Sequence, residues 1–143
     1  MAVPKLAEEN VSKIRRVVEE FYNQGNLGLA DELFAPDYIR HDPATSDVGR
    51  GPNGARQVAT RYRTAFPDLH LTIEDTLSDG DRVVARWGST GTHRGDLQGI
   101  APTGKRMQIT GLTIVRFTNG KITEEWVNWD TLGMLRQLGV VPQ

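Results

Sequence analysis

Residues 124–130, Glu-Glu-Trp-Val-Asn-Trp-Asp, end an indole-rich run on a carboxylate, Asp130. A carboxylate set against apolar walls has its charged form disfavoured, so it can take up and return a proton near neutral pH. The same residue precedes Thr-Leu-Gly-Met-Leu-Arg-Gln-Leu-Gly, where an aspartate can serve as the N-cap of a helix. A capping box would carry Glu or Gln where Gly133 stands, so position alone leaves catalyst and cap both open. Three histidines add further proton-transfer candidates. His93, in Gly-Thr-His-Arg-Gly, continues the alternation that passes through Trp87 and reads either as a catalytic group or as a loop histidine at the rim. His41, before Asp42-Pro43, reads as a donor at a pocket mouth or as a strand-end residue bonded to backbone. His70 alternates with apolar residues and is assigned to the surface.

These residues need elements to hold them. Val11, Ile14, Val18 and Phe21 fall at helical spacing, and Gly25 is a stop. Leu29, Ala30, Leu33 and Phe34 make a short second helix limited by Pro36, and an extended piece follows to Pro43. A third helix is expected over residues 53–66, with Val58, Tyr62 and Ala65 inward. Beyond Pro67 the period changes to two: 69–73, 83–87, 109–117 and 122–130 read as strands, with a glycine-rich loop over 91–105 and a last helix carrying Leu132, Leu135 and Leu138. The order, helices first and a strand meander second, is α+β, with helices on one face of an antiparallel sheet. At 143 residues the chain is one domain, 1–143.

The last hairpin decides which side chains share the site. Asn119-Gly120 suits a two-residue turn, which sets Thr118 against Lys121 and Phe117 against Ile122. Extended without interruption, that register pairs Val115 with Glu124, Thr113 with Trp126, Gly111 with Asn128 and Ile109 with Asp130. The face holding Phe117 and Ile122 is taken as the interior. Asp130 then enters a pocket with Asn128 and Trp126, beside the gap left by Gly111, and Trp87, Ile109 and Tyr22 join it as substrate-binding walls. Leu112, Ile114, Val127 and Trp129 fall on the opposite face, an apolar patch that a second copy would cover, so a homodimer is expected.

Composition removes several alternatives. A net charge of −1 lacks the basic surplus that draws a chain to nucleic acid or anionic lipid. No apolar run reaches the length of a membrane helix, and the first residues do not form a secretion signal, so a cytoplasmic protein is expected. With no cysteine there is no disulfide, thiolate nucleophile or cysteine zinc site. The scattered histidines argue against a metal, and no phosphate loop or serine elbow is present.

The segments "AFPDLHLTIED", "GDRVVARW", "GTHRGDLQGIAPTGK", "GLTIVRFTNGKITEEWVNWD" and "LRQLG", with the earlier "FYNQGNLGLADELFAPDYIRHDP", resemble the SnoaL-like polyketide cyclases, also called ester cyclases. The resemblance runs from about Val11 to Gly139. It implies a nuclear-transport-factor-2-like cone, in which a curved sheet wraps around helices. It implies an intramolecular aldol closure without metal or cofactor on a small-molecule substrate. In that chemistry an aspartate matching Asp130 is general acid and base, and His41 matches a pocket residue. A non-catalytic binding protein of the same fold, or a hydrolase in which Asp130 activates water, are the alternatives.

Overall fold

The computed structural model describes residues 2–142. The apolar stripe of the N-terminal segment forms α1 (Ala2–Arg16), which runs directly into a π-helical segment, Val17–Asn23. The wider π turn aligns residues five apart, and Val17 and Tyr22 accordingly both reach the interior cavity. Gly25, at φ 73°, ends the run, and Arg63 Nη1 caps it by donating to the carbonyls of Tyr22 and Asn23 at 2.7 and 3.0 Å. A short α2 (Ala30–Leu33) leads into β1 (Phe34–His41). The third helix, α3 (Gly51–Ala65), buries Ala55, Val58 and Ala59 and brings Tyr62 to the cavity. The strands β2 (His70–Asp79), β3 (Arg82–Thr92), β4 (Arg106–Thr118) and β5 (Lys121–Trp129) follow, and α4 (Thr131–Leu138) closes the chain.

The five strands form one open sheet in the order β1-β5-β4-β3-β2. Strands β2 to β5 are an antiparallel meander, whereas β1 lies parallel to β5. The sheet is therefore mixed and not purely antiparallel. The strands β1 and β5 are separated by a helix and three strands, a connection long enough for a parallel neighbour.

One residue reverses the expected faces. The turn does set Thr118 against Lys121 and Phe117 against Ile122, but the next pair is Arg116 with Glu124. Thr123 is thus an extra residue in β5, a bulge, with its hydroxyl 3.2 Å from the Arg116 carbonyl. Because side chains alternate, one inserted residue moves everything beyond it to the other face. The observed pairs are Val115 with Glu125, Thr113 with Val127 and Gly111 with Trp129. Glu125, Val127 and Trp129 face the helices, while Trp126 and Asn128 face outward beside Ile114 and Leu112. Val127 is 2% exposed and cannot belong to an outer patch, and Trp129 lines the interior. Leu112 and Ile114 are exposed as expected, at 51% and 37%.

Two apolar clusters fill the inside of the curved sheet. One gathers Phe21, Leu33, Phe34, Ala55, Val83, Val115, Phe117 and Ile122. The other gathers Phe66, Leu69, Leu97, Met107, Ile109, Met134 and Leu138. Members of both line a single cavity, which puts the cavity between them.

Candidate active site

Strand alternation in β1 sends Tyr38 and Arg40 inward, and Asp42 continues that parity. Arg40 lies beside Glu125 in the parallel β1–β5 ladder, so a guanidinium and a carboxylate meet on the inner face. Glu125 Oε1 accepts a 2.5 Å hydrogen bond from the Tyr38 hydroxyl and lies 3.7 Å from Arg40 Nη1, an ion-pair separation too long for a hydrogen bond. Asp42 is the more fully committed carboxylate. Its Oδ1 accepts from the Ala44 amide at 2.9 Å, and its Oδ2 accepts from Arg40 Nη2 at 3.1 Å and from Trp129 Nε1 at 3.3 Å. With three donors and a side chain 1% exposed, Asp42 anchors its neighbours and has no free edge. Glu125 Oε2, by contrast, has no hydrogen-bond partner among the described residues, yet it is not one of the sealed polar atoms, so it opens to the cavity.

That cavity, of about 110 Å³, is lined by Ile14, Val17, Leu71, Ile109, Met107 and Met134 and by the rings of Trp87, Trp129, Tyr22 and Tyr62. Such a space holds several water molecules, against roughly 10–15 Å³ on this measure for one. Trp87 Nε1 donates to Thr113 Oγ1 at 3.0 Å, and Tyr62 meets Trp129 edge-on, with ring centroids 5.7 Å apart. Gly111 makes room for these indoles: a Cβ there would sit 2.4 Å from the Trp87 ring and 2.8 Å from Trp129 Cβ. The gap expected at Gly111 is therefore occupied by Trp87.

Burial pushes the Tyr22 phenol up, Arg40 opposes that rise, and the Glu125 and Asp42 carboxylates add to it. Burial likewise lifts the Tyr38 phenol well above its usual range, and Glu125 adds to the effect. Burial also raises the Tyr62 phenol to about 12, with Asp42 contributing. All three are proton donors at neutral pH. Burial works against the charge on Arg40, but the phenols and carboxylates around it outweigh that cost and hold the guanidinium well above its ordinary value.

The expected site residues divide. Trp87, Ile109 and Tyr22 line the cavity. Asp130 does not: it is exposed, follows β5 as the N-cap of α4, and its Oδ1 accepts from the Gly133 amide at 2.9 Å. The cap reading is the one realised, which removes the Asp130 carboxylate both as proton shuttle and as activator of water in the cavity. His41 is exposed on the outer face, 2.6 Å from Glu124 Oε2 and stacked on Trp126 at 5.5 Å. Trp126 and Asn128 are outward for the reason given by the bulge. His93 is fully buried but does not line the cavity. Its Nδ1 lies 3.2 Å from the Thr103 amide and 3.0 Å from the Thr103 hydroxyl, and its ring packs on Phe66, so it ties down the base of the 93–105 loop. Sequence reasoning missed Arg40, Asp42, Glu125 and Tyr38, and it turned Tyr62 inward without giving it a part in the site. The alternation Tyr38, Arg40, Asp42 was visible in the sequence; Glu125 was hidden by the bulge.

The chain matches the family described as SnoaL-like polyketide cyclase over residues 12–138. It is 30% identical over 135 residues to the aklanonic acid methyl ester cyclase DnrD of Streptomyces peucetius, covering 90% of each chain. It is 32% identical over 121 residues to the nogalonic acid methyl ester cyclase of Streptomyces nogalater, covering 82% of this chain and 89% of that one. A Catenulispora acidiphila protein with a ketosteroid isomerase-like fold superposes with a TM-score of 0.76 at 19% identity, over 91% of this chain and 93% of that one, which speaks for the fold alone. No helix among the described residues is long and apolar enough to cross a membrane. With the family matched across most of its length and relatives of 30% identity or more covering most of the chain, the protein belongs to the SnoaL-like polyketide cyclases.

Proposed function

We propose that this protein closes a ring by an intramolecular aldol reaction on a polyketide-derived ester, with Glu125 and not Asp130 as the base. The carrying observation is the unpartnered Glu125 Oε2 facing an apolar cavity, while Oε1 is held by Tyr38 and Arg40. A carbon acid between two carbonyl groups delivers its proton to Oε2. The electron pair of the broken C–H bond passes into the enolate, whose oxygen is stabilised by the charged Arg40 and the protonated Tyr22. The nucleophilic carbon then attacks a second carbonyl of the same molecule. The apolar walls fold the chain so that the two reacting carbons are held in attack geometry. Asp42 contributes by fixing Arg40 and Trp129. The curated relatives named as methyl ester cyclases support the ester as substrate class. Turnover of an aklanonic- or nogalonic-type methyl ester, followed by loss of the open-chain chromophore, tests the reading. Glu125→Gln should lower kcat by at least about 100-fold, the usual contribution of a positioned base. Full activity in that variant would remove Glu125 from the mechanism.

The outer sheet face carries a further part of the proposal. A second copy of the chain covers Leu112, Ile114 and Trp126, giving a homodimer whose interface is distinct from the cavity. The support is an apolar row across that face, through Leu77, Val84, Ile114 and Trp126, flanked by charges of both signs.

A further inference from the structure

An aldol closure has a second proton requirement. The attacked carbonyl becomes an alkoxide, which needs a donor. We propose that the Tyr62 hydroxyl is that donor, acting from the helix wall of the cavity while Glu125 acts from the sheet wall. This inference rests on the aldol reading above.

Three phenols belong to the site, of which Tyr22 and Tyr62 line the cavity and Tyr38 does not. Tyr38 spends its hydroxyl on Glu125. Tyr22 lines the cavity with the Arg40 charge acting on its phenol. Tyr62, from α3, lines the cavity, and its hydroxyl bonds to no described residue while remaining outside the set of sealed polar atoms. Its ring is nevertheless fixed. The edge-on contact with Trp129 holds it, and Trp129 is tied in turn through its indole N–H to Asp42. A locked ring with an uncommitted hydroxyl is a preorganised donor, needing no reorientation when charge develops. The burial that raises this phenol keeps its proton in place until an alkoxide forms.

The step balances without a co-reactant. The enolate carbon forms the new C–C bond, the carbonyl π pair moves to oxygen, and the Tyr62 O–H proton passes to that oxygen. The Tyr62 phenolate recovers a proton from Glu125, which holds the one removed from substrate. The reaction is an isomerisation overall.

The test compares Tyr62→Phe with Thr60→Ala, which removes an exposed hydroxyl from the same helix, outside the cavity. Tyr62→Phe should lower kcat for cyclisation about 100-fold with KM within about threefold, as for loss of one transition-state donor. Thr60→Ala should stay within about threefold of wild type. Unchanged kcat in Tyr62→Phe, beside an inactive Glu125→Gln, overturns the donor and leaves the base standing. A second measurement needs no turnover. In protein labelled with ¹³Cζ-tyrosine, saturation with 1,8-dihydroxyanthraquinone, a planar polyketide-like probe bearing oxygens, should shift the resonance that Tyr62→Phe removes. If the probe saturates the cavity and that resonance stays in place, the proposal fails whatever the outcome for Glu125.

Discussion

At the scale of single residues, two carboxylates five positions apart have exchanged the roles their surroundings suggest in sequence. Asp130 follows two indoles, yet it lies outside, and its neighbour in space is the amide of Gly133. Gly133 explains the incomplete capping box. A Cβ at that position would meet the Asp130 carboxylate at 2.1–2.8 Å, so the small residue lets the cap close. Asp130→Ala should therefore cost about 1 kcal/mol, the usual value for a lost N-cap, seen as a lower urea midpoint. Its kcat should match wild type. A 100-fold loss of cyclisation in Asp130→Asn, with folding intact, would return catalysis to the strand end. Glu125 lies between Glu124 and Trp126 in sequence, and the uninterrupted register turned it outward. Only its parallel neighbour Arg40 and the hydroxyl of Tyr38, 87 residues away in the chain, make it a site residue.

At the scale of elements, most of the fold could be read directly. The helical stripe of α1, the three-residue agreement of Val58, Tyr62 and Ala65 in α3, the strand alternation and the Asn119-Gly120 turn are local signals, and each has its counterpart in the structure. Two features were not local. The parallel docking of β1 on β5 depends on contacts that no short window contains. The Thr123 bulge leaves no period of its own, because β5 alternates normally on either side of it. A single unsignalled residue therefore misdirected Trp126, Asn128, Val127 and Trp129 together. Between elements, Asp68 joins the start of the meander to the end of β3: Thr92 donates its amide to Oδ1 at 2.7 Å and its hydroxyl to Oδ2 at 2.8 Å. These bonds, the amide first, hold the Asp68 carboxyl below its ordinary 3.8. A depressed carboxyl stabilises the folded state above its unfolded value and loses that contribution as pH falls through the folded one. Asp68→Asn should thus show a lower urea midpoint than wild type at pH 7, and the gap should narrow as pH drops below 3.8. A gap that is the same at both ends of the range would mean that the carboxylate charge is not what holds the junction.

At the scale of the whole molecule, the outer sheet face is where the bulge has its second consequence. One row crosses all five strands: Leu77, Val84, Ile114, Trp126 and His41, each paired with the next. Leu77 is 70% exposed and Leu112, in the adjoining row, 51%. Trp126 is held upright by the stacked His41 ring and by Arg82, whose guanidinium lies 5.3 Å from the indole centroid. The flanking rows carry both signs, with Asp79, Arg82, Arg116 and Glu124 on one side and Asp75 and Arg86 on the other. An apolar centre with a mixed-charge rim fits a rotated copy of itself, since each cation can meet an anion of the partner. The largest apolar patch on a typical monomer covers roughly 300–600 Å², and patches beyond that size mark interaction sites. In the proposed dimer Trp126 takes the central place, whereas the uninterrupted register put Trp129 on that face. Wild-type protein at micromolar concentration should sediment as a dimer of the 15.9 kDa chain. Ile114→Asp places a charge at the centre of the row without touching the core, and it should sediment as a monomer with a urea midpoint near that of the wild type at low protein concentration. Trp129→Ala should do the reverse: it opens the cavity wall and removes one of the three donors to Asp42, lowering stability by about 3–5 kcal/mol while the outer face keeps its shape. A wild type that remains monomeric at high micromolar concentration would show that the outer row is tolerated in water and that no second copy covers it.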